Sequence, residues 1–224
     1  MGLFFGAAFA AMGWALMKVF ERAPAYTLAL SAGFLLLGPL LSLGLYRASQ
    51  VLESGGRPDL GDCVLAWTTR TGQLAIFGFV LLVLEMLWGR ATLVIFAVTF
   101  SGMPDFKGSL LALADPANLT FTIAWLAVGA VFATLIYAVT VVSMPMILDR
   151  RTDAITAGLT SIRLVLSQPL VMFMWAAMIA VIMFVSMLPW FAGLLVTAPL
   201  IGHASWHAYR DAIAPPLQDA QAQG

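Results

Sequence analysis

The apolar positions run together in long windows, at about 3–18, 25–46, 72–99, 119–147, 169–188 and 190–207, broken by Pro, Gly and charged residues. A helix needs about 20 apolar residues to cross a bilayer, so the pattern predicts six transmembrane helices. The last two are separated only by Leu188-Pro189-Trp190, and a proline there predicts a tight hairpin instead of one long helix. The first window, Leu3 to Met17, lacks the basic start and A-x-A-like site of a secretory signal. It is read as a short first span or as one that begins upstream of the sequence.

Two segments between these windows have a different period. In DLGDCVLAWTTR (59–70), Leu60, Cys63, Val64 and Trp67 recur at helical spacing, as do Ile155, Leu159, Ile162 and Leu166 in TDAITAGLTSIRLVL (152–166). Both are expected to be amphipathic helices lying in the membrane interface, with Asp59 or Asp62 and Thr152 or Asp153 as N-caps. A repeat emerges when the prolines are aligned: GFLLLGPLLSLGLYRA (33–48), VVSMPMILDRR (141–151) and GLLVTAPLIGHASWHA (193–208). The first and third match at a constant offset of 160, pairing Gly33 with Gly193, Leu35 with Leu195, Pro39 with Pro199 and Tyr46 with Trp206. The expected fold is therefore all-α, a polytopic membrane helical bundle of about six transmembrane helices. They form three hairpins joined by amphipathic interfacial connectors, and the even-numbered helices carry a proline near one membrane face. Residues 1–213 are expected to form a single transmembrane domain, followed by a polar, disordered tail over 214–224.

Composition agrees: 62% of the 224 residues are hydrophobic and 10% charged, with a mean hydropathy of +0.96, against about 45–50% apolar in a soluble domain. Eleven basic side chains balance eleven acidic ones, which argues against a nucleic-acid partner. Arg47, Arg57, Arg70, Arg150, Arg151, Arg163 and Arg210 fall on the face of the connectors and C-terminus, against Lys18, Arg22 and Lys107 opposite. The positive-inside rule then places the connectors and both termini in the cytoplasm. The single Cys63 has no partner for an internal disulfide, and no Cys/His zinc set is present.

Candidate chemistry is sparse. Glu85 and Arg90 interrupt the run VLLVLEMLWGRATLVIFAVTF (80–100), where a charge in hydrocarbon costs roughly 2.5–3.5 kcal/mol on insertion scales. Five residues apart, they differ by about 140° around the axis and form no i, i+4 pair. Trp88-Gly89-Arg90 is expected to anchor the outer interface, leaving 91–100 in need of cover from the 101–118 loop, another subunit or a partner. Glu85 is expected to face the bundle and meet Tyr137, Thr134 or Thr140, or a buried water, and it is the preferred functional residue of the two, with a structural polar lock as the alternative. His203 and His207, four apart, share a helix face and form a weak metal candidate beside Asp211; an interfacial anchor of His, Trp206, Tyr209 and Arg210 is the preferred reading. The methionine pairs Met174/Met178 and Met183/Met187 suit Cu(I) in principle, but no Cys or His interleaves them, and Met commonly fills irregular packing. The segment SGGRPDL (54–60) lacks a phosphate-cradling pattern, and no nucleophile elbow exists. Neither a cofactor nor an enzymatic activity is expected.

The run AGFLLLGPLLSLGLYRASQVLESGGRPDL (32–60), the following connector Trp67, LWGRA (87–91) and the ending APLIGHASWHAYRDAI (198–213) resemble the bacterial predicted integral membrane proteins of domain of unknown function 2189. That resemblance implies a multi-span protein and no established activity. From the residues themselves, the first function expected is an accessory, assembly or scaffolding subunit of a membrane complex. Its partners would be the lipid bilayer and another protein or a second copy. The alternative is a small transporter or channel with a polar site around Glu85.

Overall fold

The computed structural model describes residues 1–22, 27–100 and 115–213. In chain order these form α1 (Gly2–Arg22), α2 (Thr27–Glu53), α3 (Leu60–Val64), a 3-10 turn (Ala66–Arg70), α4 (Thr71–Thr99), α5 (Leu119–Thr140), α6 (Ser143–Arg150), α7 (Ala154–Ser167), α8 (Pro169–Met187) and α9 (Leu194–Ala212). All six expected spans are helical, and the described residues contain no strand. Among the described residues, four stretches are long and apolar enough to cross a membrane: Gly2–Arg22, Ala66–Thr99, Pro116–Arg150 and Pro169–Met187. The two remaining expected spans, α2 and α9, are helices of 27 and 19 residues. The chain is a polytopic helical membrane bundle.

Helix α1 lies along α9 and α2, α8 returns along α9, and α4 pairs with α5. The middle hairpin joins the other two through α2, α6 and α7. The dense core sits at the connector end, where Leu43, Ile147 and Trp206 meet Phe77, Ala157 and Val165.

The second connector forms a single helix, α7, whereas the first, expected as one helix, divides at Leu65 into α3 and the 3-10 turn. Asp59 caps α3 by accepting from the Asp62 amide, and Asp153 caps α7 by accepting from the Thr156 amide. Of the expected cap candidates, the residue immediately outside each helix does the work, because an Ncap oxygen reaches the N2 or N3 amide. These amide bonds hold the Asp153 carboxyl below the ordinary carboxylate range. Cys63 turns inward from α3 and is 1% exposed, packed with Phe5, Leu45 and Ala48. Burial pushes its thiol upward, with Asp62 and Asp59 adding to the shift and Arg47 opposing it. A buried thiol of raised pKa presents little thiolate. Cys63 should therefore label slowly with a charged maleimide in membranes and rapidly once the protein is denatured; rapid labelling of the native protein would show that α3 is not docked.

The three prolines act differently. Pro39 and Pro199 lie inside continuous helices, whereas the expected fourth span, 119–147, breaks at Val141–Val142 into α5 and α6. A proline at 145 removes the amide that would bond the carbonyl at 141 and crowds that turn. The break is stitched by the Ser143 hydroxyl donating to the Val139 carbonyl and by the Val142 amide reaching the Ser161 hydroxyl at 3.4 Å. The expected hairpin after α8 is present as the turn 188–193, in which Trp190 and Phe191 adopt left-handed φ values of 47° and 64°. Gly13 of α1 provides the space for Phe191: a β-carbon there would stand 2.2 Å from the ring.

Candidate functional site

At the connector end, α2, α6 and α9 finish together, and their last turns carry polar side chains that meet on Asp149. Tyr209 Oη donates to Asp149 Oδ2 at 2.8 Å, Arg210 Nη1 donates to the same oxygen at 3.4 Å, and Gln50 Nε2 donates to Oδ1 at 3.1 Å. Glu53 accepts from Trp206 Nε1 at 2.9 Å and from Arg210 Nε at 3.2 Å. Arg150 donates to Tyr209 Oη at 3.0 Å and to the Ile213 carbonyl at 3.1 Å. Trp206 and Tyr209 are each 1% exposed, so their polar tips require partners, and the two carboxylates supply them. Burial, followed by the hydrogen bond and charge of Asp149, pushes the Tyr209 phenol far above its usual range, so it stays a neutral donor. Burial pulls Arg210 downward, but Glu53 and Asp149 outweigh it and the net shift is upward.

Beside this network a cleft of about 700 Å³ opens between the end of α2, the connector and α6, lined by Arg47, Gln50, Thr69, Arg70, Asp149 and Arg151. Arg47 donates to Gln50 Oε1 at 2.8 Å and stands 3.6 Å from the exposed Asp62 carboxylate. Arg151 closes α6 in the left-handed region, at φ 55°.

The residues singled out from sequence lie elsewhere. Glu85 is buried on α4 and Arg90 is exposed, as their angular separation requires; among the described residues no salt bridge joins them. The expected partners of Glu85 are engaged otherwise. Tyr137 donates to the Met172 carbonyl at 2.8 Å and Thr140 to the Ile136 carbonyl at 2.8 Å, while Thr134 is exposed. Register explains this: α4 and α5 run antiparallel with Trp88 against Trp125 at 6.1 Å and Phe96 edge-to-face with Phe121 at 6.1 Å. Glu85 is thus level with residues near Val128, roughly two turns from Tyr137. Its nearest polar companion along the helix is Trp88, one turn on, whose indole nitrogen is buried without an acceptor among the described residues.

His203 is half-buried, with Nδ1 2.6 Å from Ser49 Oγ. Because Ser49 Oγ already donates to the Leu45 carbonyl at 3.0 Å, it accepts from Nδ1–H and clamps α2 to α9. His207 is exposed, and the described residues contain no group of three His, Cys, Asp or Glu side chains able to hold a metal. Met144, Met146 and Met172 are core residues, whereas Met174, Met178 and Met187 face outward. The expected outer-face Lys107 and the C-terminal tail lie outside the described residues. Sequence reasoning missed the Asp149 network.

A family model described as "Predicted integral membrane protein (DUF2189)" matches residues 27–149. The match spans more than half of the chain, and the chain belongs to this family. The matched segment contains α2, both elements of the first connector, α4, α5 and Asp149. No curated protein and no solved structure matches the chain.

Proposed function

We propose that this family member is a non-enzymatic accessory or assembly subunit of a membrane complex, which docks on its partner through the outer tip of the α4–α5 hairpin. The observation that carries the reading is an apolar tip standing beyond the aromatic level. From Thr71 to Arg90, α4 rises about 28 Å, close to the ~30 Å of a hydrocarbon core. Trp88, against Trp125, and the exposed Arg90 suit the outer interface. Helix α4 nevertheless continues to Thr99, about 13 Å further. On that extension Leu93, Val94 and Val98 are 61%, 62% and 80% exposed, and Ile123 on α5 is 59% exposed. Phe96, Phe100 and Phe121 pack against one another and stiffen the tip. An apolar surface of this kind, if it stands outside hydrocarbon, marks a protein-binding site. With the seven connector-face arginines in the cytoplasm, the tip points outward.

The test is a photo-crosslinking side chain at position 123, in place of the exposed Ile123, combined with Val94→Glu/Val98→Glu, in native membranes. One stoichiometric adduct, to a different protein or to a second copy, is expected, and the double substitution should abolish it at unchanged folded yield. Collapse of the yield would place the tip inside the bilayer, since each charge would then meet the hydrocarbon penalty, and the tip would not be a docking surface. The buried Glu85 beside the unmatched Trp88 indole favours a second reading, a small transporter or channel. Glu85→Gln with normal yield and lost solute flux in liposomes would support it, whereas unchanged flux would dismiss it.

A further inference from the structure

The 3-10 turn Ala66–Arg70 separates two spaces of opposite character. On one side is the polar cleft, with three guanidinium groups, Arg47, Arg70 and Arg151, on its wall. On the other is an apolar groove of about 440 Å³ between α2 and α4, lined by Pro39, Leu40, Trp67, Leu74, Phe77 and Met144. Both spaces are built from α2, the connector and α6, and they succeed one another along α2, from Arg47 and Gln50 to Pro39 and Leu40. The groove follows α4 from Thr71 to Leu82, a rise of about 17 Å. Trp67 is 40% exposed at the junction, the position of an indole at headgroup level.

The charge of the cleft is not balanced internally. Asp149 is committed to Tyr209, Arg210 and Gln50, and among the described residues the ion-pair partner of Asp62 is Arg47, with the carboxylate 69% exposed to solvent. Among the described residues, Arg70 and Arg151 make no ion pair. Arg151 occupies a left-handed helix-ending position that glycine fills without strain, so the guanidinium is kept there at a conformational cost.

From this geometry we infer that the connector between α2 and α4 is a binding site for an anionic glycerophospholipid, its phosphate against Arg47, Arg70 and Arg151 and one acyl chain in the α2–α4 groove. Guanidinium forks match phosphate oxygens in pairs, and the groove gives the chain a fixed path that a freely exchanging boundary lipid lacks. This site is independent of the hairpin tip and stands or falls separately from it.

The full chain, purified in mild detergent, is titrated with phosphatidylglycerol, phosphatidylcholine and glycerol phosphate, with bound lipid read by native mass spectrometry and melting by scanning fluorimetry. Phosphatidylglycerol should bind at least about ten-fold more tightly than phosphatidylcholine and raise the melting temperature, whereas glycerol phosphate at equal concentration should leave it unchanged. Arg151→Gly should melt no lower than the parent without lipid, because the left-handed position is relieved, yet bind phosphatidylglycerol about five-fold more weakly; adding Arg70→Gln should bring the loss to about 25-fold. Ala75→Trp, which fills the groove, should weaken phosphatidylglycerol binding without lowering lipid-free melting. Equal binding of the two lipids, or binding unchanged in the arginine variants, would overturn the site as ordinary boundary lipid. A response to glycerol phosphate as large as that to phosphatidylglycerol would overturn the lipid assignment in favour of a free phosphate ester.

Discussion

Replacing Asp149 with alanine should lower the stability of the folded bundle by about 2–4 kcal/mol, the largest single-residue loss expected from the connector end. Three donors from two helices converge on this carboxylate: Tyr209 and Arg210 from α9 and Gln50 from α2. Its side chain is only 15% exposed, so water cannot fully replace it. The heaviest part of the loss falls on Tyr209, whose hydroxyl lies in a 1% exposed residue and would retain only the contact with Arg150. Asp149→Asn keeps an acceptor for Tyr209 but weakens the pairing with Arg210, so about half of the loss is expected. Arg210→Ala should cost under about 1 kcal/mol, because the guanidinium is 38% exposed and its ion pairs are solvent-screened. Thermal melting in one detergent ranks the three variants. If Arg210→Ala proved as damaging as Asp149→Ala, the junction would depend on its exposed ion pairs and not on the buried acceptor.

The helices were legible because lipid imposes a long apolar window on each span, and caps such as Asp59 and Asp153 follow from local amide geometry. The recurrence of Pro39, Pro145 and Pro199 at matching points of the sequence was legible too. The helix break before Pro145 was hidden, since a proline can either kink or end a helix depending on what repairs the freed groups. Here Ser143 and Ser161 repair the ends of a true break, whereas α2 and α9 continue through theirs. The polar network escaped for a related reason. Its members are dispersed in sequence and look like ordinary interfacial residues, and only helix crossing brings them together. One signal was available: the offset of 160 that pairs Pro39 with Pro199 also pairs Gln50 with Arg210, and both donate to Asp149. Charge interruption within an apolar run drew attention to Glu85 instead, and its angular separation from Arg90 was legible. Its partners were not, because the register of α4 on α5 is set by Trp88, Trp125, Phe96 and Phe121 rather than by polar matching.

Gly6→Ala should destabilise the bundle by about 1–3 kcal/mol, although alanine is the better helix former by up to about 1 kcal/mol. Spacing of Gly6, Ala10 and Gly13 suggests close approach to another helix, and the structure identifies that neighbour as α9. A β-carbon on Gly6 would stand 2.2 Å from the Leu195 carbonyl oxygen and 2.8 Å from its carbon. Those atoms are backbone and cannot rotate away, so α1 would have to move. The carbonyl involved is the one that Pro199, lacking an N–H, cannot bond in the helical pattern, so it is left facing α1. Close approach of the Gly6 backbone covers it and permits a weak Cα–H···O contact. One added methyl would therefore separate α1 from α9 along its length, and Phe5, buried against Gly44, would be withdrawn as well. Gly72→Ala is the matched control, since a β-carbon at that position would meet no atom within 4 Å; it should be neutral or slightly stabilising. At roughly 2–4 °C per kcal/mol for a chain of this size, the two melting temperatures should diverge by several degrees. Coincident melting of Gly6→Ala and Gly72→Ala would show that α1 does not rest on the Leu195 carbonyl, and that the two helices pack in some other way.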